Sequence, residues 1–116
     1  MEKPIEIVIL PKAEDFLDSL EEPVRRKFTQ SMRKTRQRIF GKWFEKLKNT
    51  DGIYEFRVDY NGKFYRIFAF WDSRGKEQTL ILATHGLIKK TNETPKSEIY
   101  LAEQIKKNYL MKGGPP

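Results

Sequence analysis

Apolar and polar positions are spaced differently in successive stretches of this chain. Ile5-Glu6-Ile7-Val8-Ile9-Leu10 is nearly continuous apolar sequence and predicts a short, largely buried strand. Pro11 ends it and suits the first turn of a helix, through which Ala13, Phe16, Leu17 and Leu20 form an apolar stripe. Glu21-Glu22-Pro23 breaks that helix and opens another, with the two carboxylates near the positive end of its dipole. Val24, Phe28, Met32, Thr35 and Ile39 then recur at helical spacing, which predicts a helix from about Pro23 to about Phe40. Gly41 is its expected end. Trp43, Phe44 and Leu47 add apolar anchors in a stretch of less definite period, and Asn49-Thr50-Asp51-Gly52 reads as a loop.

From Gly52 to Trp71 the pattern is that of a hairpin. Asn61-Gly62 separates two runs of aromatic and β-branched residues, and this dipeptide suits a type I′ turn, which needs positive φ at both central positions. Counting outward pairs Tyr60 with Lys63, Val58 with Tyr65, Phe56 with Ile67 and Tyr54 with Ala69 on an apolar face. The other face pairs Asp59 with Phe64, Arg57 with Arg66, Glu55 with Phe68 and Ile53 with Phe70. Asp72-Ser73-Arg74-Gly75-Lys76 is a second turn, and Gln78 to His85 a third strand, closely followed by Gly86-Leu87-Ile88-Lys89-Lys90. Thr94 fits an N-cap and Pro95 the first position of a last helix, which carries Ile99, Ala102, Ile105 and Tyr109 on one side, widened by Leu101 and Leu110. Gly113-Gly114-Pro115-Pro116 reads as a frayed tail. The order β-α-α-β-β-β-α predicts an α+β domain over residues 1–112, with a mostly antiparallel sheet. The helices are expected on one face and the arginines on a partly open other face.

Two arginines directly opposite each other destabilise a sheet by about a few tenths of a kcal/mol. Either Glu55 and Asp59, on the same face, neutralise them, or an anionic ligand does. Guanidinium forks suit phosphate oxygens.

Composition narrows the partners. A chain of 116 residues supports one core without disulfides or metals. Cysteine is absent, which excludes disulfides, cysteine–zinc sites and thiol nucleophiles. With a single histidine, His85, and scattered carboxylates, no ligand cluster has metal spacing, and no metal or other cofactor is expected. There is neither a signal pattern nor an apolar run long enough for a bilayer, so no membrane association and a cytoplasmic location are expected. The net charge of +7 favours an anionic partner, of which nucleic acid is the commonest. Arg25, Arg26, Lys27, Arg33, Lys34, Arg36 and Arg38 cover most of the second helix outside its apolar stripe. They form either a solvated face or a set of distributed phosphate contacts.

Several local motifs carry a resemblance: Tyr54-Glu55-Phe56-Arg57, Phe64-Tyr65-Arg66-Ile67, His85-Gly86-Leu87-Ile88-Lys89-Lys90-Thr91, Thr94-Pro95, and Glu98-Ile99 with Ala102. With the element order, they resemble the RelE/ParE toxin superfamily, and within it the HigB-like, phage-derived branch. Leu87 departs from the pattern, standing where an aromatic is more usual, a change conservative for packing. The resemblance implies the toxin of a type II toxin–antitoxin system, neutralised by a cognate antitoxin that is a small helix-turn-helix protein. RelE and HigB relatives cleave mRNA in the ribosomal A site, whereas ParE relatives inhibit DNA gyrase. One fold therefore hosts different targets. The expectation favoured by the resemblance is a metal-independent endoribonuclease acting on mRNA on the ribosome. The alternatives are a non-catalytic gyrase inhibitor and an inactive basic nucleic-acid-binding module.

RNA can supply its own nucleophile, the 2′-hydroxyl, which attacks the adjacent phosphorus and expels the 5′-oxygen. Protein must then remove a proton, stabilise the phosphorane and protonate the leaving oxygen. Arg57 and Arg66 suit the second task because their charge is fixed. His85 is a candidate acid or base, or a hydrogen-bonded structural residue at a strand end. Lys89 and Lys90 form either a solvated basic turn or a backbone-binding pair of which one serves as acid; a lysine base needs its pKa lowered by burial or neighbouring cations. Glu55 is a candidate base or the counter-ion of the arginines. Lys46, Lys48, Lys63 and Arg36 are the candidates for RNA-backbone contact.

Overall fold

The computed structural model describes residues 3–75, 79–82 (backbone only), 86–91 and 93–112. The elements run β1 (Glu6–Ile9), α1 (Pro11–Ser19), α2 (Glu22–Arg36), β2 (Phe44–Lys46), β3 (Tyr54–Tyr60), β4 (Lys63–Asp72), β5 (Thr79–Leu82), β6 (Leu87–Lys89) and α3 (Lys96–Met111). Among the described residues six strands form one sheet in the order β1-β5-β4-β3-β2, with β6 following β5 along β4. Among the described residues only β1 and β5 pair in parallel. The α+β class and the mostly antiparallel sheet are as expected.

The β3–β4 hairpin has the register the turn dictates, from Tyr60 opposite Lys63 to Tyr54 opposite Ala69. Asn61 and Gly62 both have positive φ, 50° and 74°, as a type I′ turn demands. Strict alternation then sends Phe56, Val58, Tyr65, Ile67 and Ala69 into one core with Val24, Phe28 and Met32 of α2 and Ala13 and Leu17 of α1. A fully buried phenylalanine such as Phe28 or Phe56 contributes about 1.5–3 kcal/mol by leaving water. Strand β4 is buried without interruption from Tyr65 to Phe70.

Several boundaries differ from expectation. Helix α2 stops at Arg36, short of Phe40, because Arg38 adopts φ 63° and closes a Schellman motif. Ile39 N–H donates to Lys34 O (2.9 Å) and Arg38 N–H to Thr35 O (3.0 Å). Ile39 therefore leaves the apolar stripe and is exposed. The stretch after Gly41 contains an additional strand, β2, whose Phe44 stacks on Tyr54 and packs at a tilt against Phe56. Strand β1 is an edge strand and only half-buried, not largely buried. Pro95, not Thr94, is the N-cap of α3, with no side-chain cap. The Thr94 hydroxyl instead accepts a hydrogen bond from Lys89 Nζ.

A further correction concerns α3. Helices α1 and α2 share one face as expected, but Ala102 and Tyr109 of α3 pack on Ile53, Phe68 and Phe70, which point to the other face. That face is thus covered at its Phe70 end and carries the arginines towards the hairpin turn. Arg74 ties down the far end of α3: NH1 donates to Leu110 O (2.8 Å), the guanidinium lies 5.6 Å from the Tyr109 ring centroid, and Nε and NH2 bond Asp72. The Arg74 hydrogen bond holds the Asp72 carboxyl down at about 2, against a smaller opposing effect of burial. Because this folded pKa is depressed, its stabilisation is present above the unfolded value, about 3.9, and is lost as pH falls through about 2. Asp72→Asn is expected to lower stability by up to about 1 kcal/mol at neutral pH. In denaturation curves recorded from pH 6 downward, its difference from wild type is expected to shrink below pH 4.

Gly86 marks where β6 begins. A Cβ there would overlap the Phe16 ring of α1, so the strand and helix meet through a glycine. Gly86→Ala is expected to cost about 1–3 kcal/mol as Phe16 is forced aside, read as a shift of the urea midpoint. The tail, 113–116, lies outside the described residues.

Candidate functional site

The face opposite α1 and α2 gathers charged residues from four strands. Register places Glu45 of β2 opposite Glu55 of β3, Arg57 opposite Arg66 of β4, and Leu87 and Lys89 of β6 opposite Arg66 and Phe64. The facing arginines are bridged by carboxylates. Arg57 NH1 is 3.1 Å from Glu45 Oε2, and Arg57 Nε donates to Glu55 Oε1 at 2.8 Å. Arg66 Nε lies 3.8 Å from the same Glu55 oxygen, and Arg66 NH1 donates to Asp59 Oδ1 and to Tyr65 O, each at 2.9 Å. The Arg66 guanidinium also lies 5.5 Å from the Phe64 ring centroid. Glu55 and Asp59 thus offset the like-charge pairing. Glu55 Oε2 is buried without a hydrogen-bond partner among the described residues.

Depth separates the two arginines. Arg66 is 1% exposed, so no ligand touches it in this conformation, whereas the Arg57 side chain is 31% exposed. The third guanidinium nitrogen of Arg57, NH2, has no partner among the described residues. Asp59, which holds Arg66 from outside, is itself 63% exposed.

Lys89 lies within electrostatic reach of this cluster and is nearly buried, with Nζ 2.6 Å from Thr94 Oγ1. Burial, the largest effect, pulls its pKa below the usual lysine value. Glu55 and Asp59 oppose the shift, and Arg66 and Arg57 reinforce it. Arg57, Arg66 and Lys89 against Glu45, Glu55 and Asp59 is three cations to three carboxylates, so the cluster itself is balanced. The excess charge of the chain therefore lies outside it.

Of the sequence candidates, Arg57, Arg66 and Lys89 come together. Lys90, next to Lys89 in sequence, is exposed, and His85 lies outside the described residues. The four backbone-contact candidates are all exposed but scattered. Lys46 and Lys48 line a shallow groove with Leu47, Asn49 and Thr50, and Arg36 lines another with Lys3 and Arg38. Lys63 sits beside the hairpin turn. Sequence reasoning missed Glu45, because β2 itself was not foreseen. No group of three or more metal-ligating side chains occurs among the described residues, and no described helix is long and apolar enough to cross a membrane.

An antiparallel sheet with a parallel edge strand, a two-helix layer on one side and a charged cluster on the other is compatible with a RelE-like fold. Residues 15–107 match the family described as phage-derived protein Gp49-like, and the chain belongs to that family. The family lies within the RelE/ParE-like group of toxins of toxin–antitoxin systems, which implies an antitoxin as partner. No curated protein and no solved structure matches the chain.

Proposed function

We propose that this chain is a ribosome-dependent mRNA endonuclease, the toxin of a type II pair, of the HigB-like kind. The observation that carries the reading is the pairing of a half-open guanidinium, Arg57, with a nearly buried lysine of lowered pKa, Lys89, on one sheet face. In this reading the substrate's 2′-oxygen attacks the adjacent phosphorus and the bond from phosphorus to the 5′-oxygen breaks. The products are a 2′,3′-cyclic phosphate and a 5′-hydroxyl end. Arg57 NH2 bonds a phosphoryl oxygen as charge builds there. Lys89 gives its proton to the leaving 5′-oxygen, and a lowered pKa makes it the better acid. Arg66 stands one step back as a positioning residue, holding Asp59 and Glu55, the latter orienting Arg57. Glu55 is too deep to take the 2′-proton directly, so in this reading that proton passes to solvent water at the open face, and Lys89 is reprotonated from solvent after turnover. Lys90, Lys46, Lys48, Lys63 and Arg36 supply contacts to the RNA backbone, and a small helix-turn-helix antitoxin neutralises the toxin.

The burial of Arg66 and the balanced charge of the cluster favour a second reading, a ParE-type inhibitor of DNA gyrase in which the network is structural. Primer extension on an mRNA translated in a cell-free extract, with the purified chain added, separates them. New 5′ ends that require translation support the endonuclease. Intact mRNA together with lost gyrase supercoiling overturns it.

A further inference from the structure

A cleft bordering the charged cluster lies where β3 runs past the end of β2. It is lined by Lys27, Gln30, Ser31 and Lys34 of α2 and by Arg57, Val58 and Asp59 of β3, and encloses about 260 Å³. Positions 27, 30, 31 and 34 fall on one stripe of a helix. Lys27 and Lys34 are two turns apart, about 10 Å along the axis, so they address different groups of an extended ligand. Neither ammonium hangs loose. Lys27 Nζ sits 5.4 Å from the Tyr60 ring centroid and Lys34 Nζ 5.0 Å from that of Trp43. Such contacts restrain long side chains that otherwise lose entropy on binding.

We infer that this cleft, through Lys27, Lys34 and Arg57 with hydroxyl and amide donors from Ser31 and Gln30, binds consecutive phosphates of a single-stranded RNA backbone. The lining decides the ligand class. An amphipathic peptide needs apolar seats, and Val58 is the one aliphatic residue among those lining it. Asp59 also lines the cleft, its charge offset by Arg66; the lysines, the amide and the hydroxyl suit phosphodiester oxygens, which carry one charge per nucleotide. Arg57 borders both the cleft and the cluster; the two lie on opposite faces of the sheet, so a strand held here reaches the proposed reaction centre by turning around the β3 edge at Arg57. The inference rests on the endonuclease reading only in taking RNA as the ligand.

The test is fluorescence anisotropy with a labelled, 2′-O-methylated oligouridine, which cannot be cleaved, titrated across a range of salt. Lys27→Ala with Lys34→Ala is expected to flatten the slope of log affinity against log salt by about 1.4, two contacts at about 0.7 each. Lys107→Ala with Lys112→Ala, which removes the same charge from the α3 end, is expected to leave that slope unchanged. Gln30→Glu keeps both lysines and the fold but adds a second carboxylate to the cleft beside that of Asp59, and is expected to weaken binding several-fold. Equal slopes for the two lysine pairs would reduce the effect to net charge and overturn the site. So would an oligoglutamate probe that binds more tightly than the RNA with the same dependence on Lys27 and Lys34, since it would reassign the cleft to an acidic protein segment. No ribosome and no scission enter the assay, so absence of mRNA cleavage would remove the endonuclease reading without touching this result.

Discussion

Glu55→Ala is expected to lower folding stability by about 3–5 kcal/mol, the cost of removing one partner from a buried charge network. Glu55 is 1% exposed and is the carboxylate that both arginines approach. Without it Arg66 keeps Asp59 and the Tyr65 carbonyl, but Arg57 and Arg66 face each other across the strands with no anion between them. The cost arises from the charge left behind and not from the bond lost. Glu55→Leu combined with Arg66→Met is therefore expected to recover most of the loss, since an apolar pair of similar volume needs no counter-charge. Urea denaturation of the single and double variants reads both effects. A single variant as stable as wild type would show that the network contributes nothing.

Arg57→Ala is expected to slow translation-coupled mRNA cleavage by about 10²–10³-fold, the usual effect of deleting one donor to a developing oxyanion. Its stability effect should be smaller than that of Glu55→Ala, because Arg57 is half-open, water can solvate the Glu45 it leaves, and the buried Glu55 keeps Arg66 nearby. Arg57→Lys keeps the charge and loses the planar fork, so it is expected to fall between wild type and alanine. Cleavage by a folded Arg57→Ala at the wild-type rate would remove Arg57 from the chemistry. The comparison with Arg66→Met matters as much. As a buried positioning residue, Arg66 should move thermal stability and cleavage together, whereas Arg57 should move cleavage with little change in stability.

The hairpin was legible because Asn61-Gly62 fixes a register by counting, and one residue of slip would have turned Phe56 and Ile67 to solvent. Counting from that turn puts Arg57 opposite Arg66, with Glu55 and Asp59 on the same side. Depth was not legible. Whether a guanidinium on a sheet face is covered depends on side chains from other elements, which period alone does not reveal. The end of α2 was misplaced because Gly41 looked like the stop signal, while Arg38 adopts the left-handed conformation more usual for glycine or asparagine. Strand β2 is three residues long and carries Glu45-Lys46, too short for alternation to show. The side of the sheet that α3 covers was open to error for a related reason: its apolar stripe fits either face, and Phe68 and Phe70 read equally well as lining for a partly open surface. Lys27 and Lys34 were visible as part of a basic helix face, but nothing in a single sequence brings them to Arg57.

Strand β4 is sandwiched, with α1 and α2 below it and α3 and the charged cluster above, and it is inaccessible from Tyr65 through Phe70. It leaves no position where a substitution is silent. Among random escape mutants selected for survival of toxin expression, changes in these six codons should therefore be over-represented. Most would disarm the protein by emptying the cell of folded molecules, without altering what the surviving ones can do.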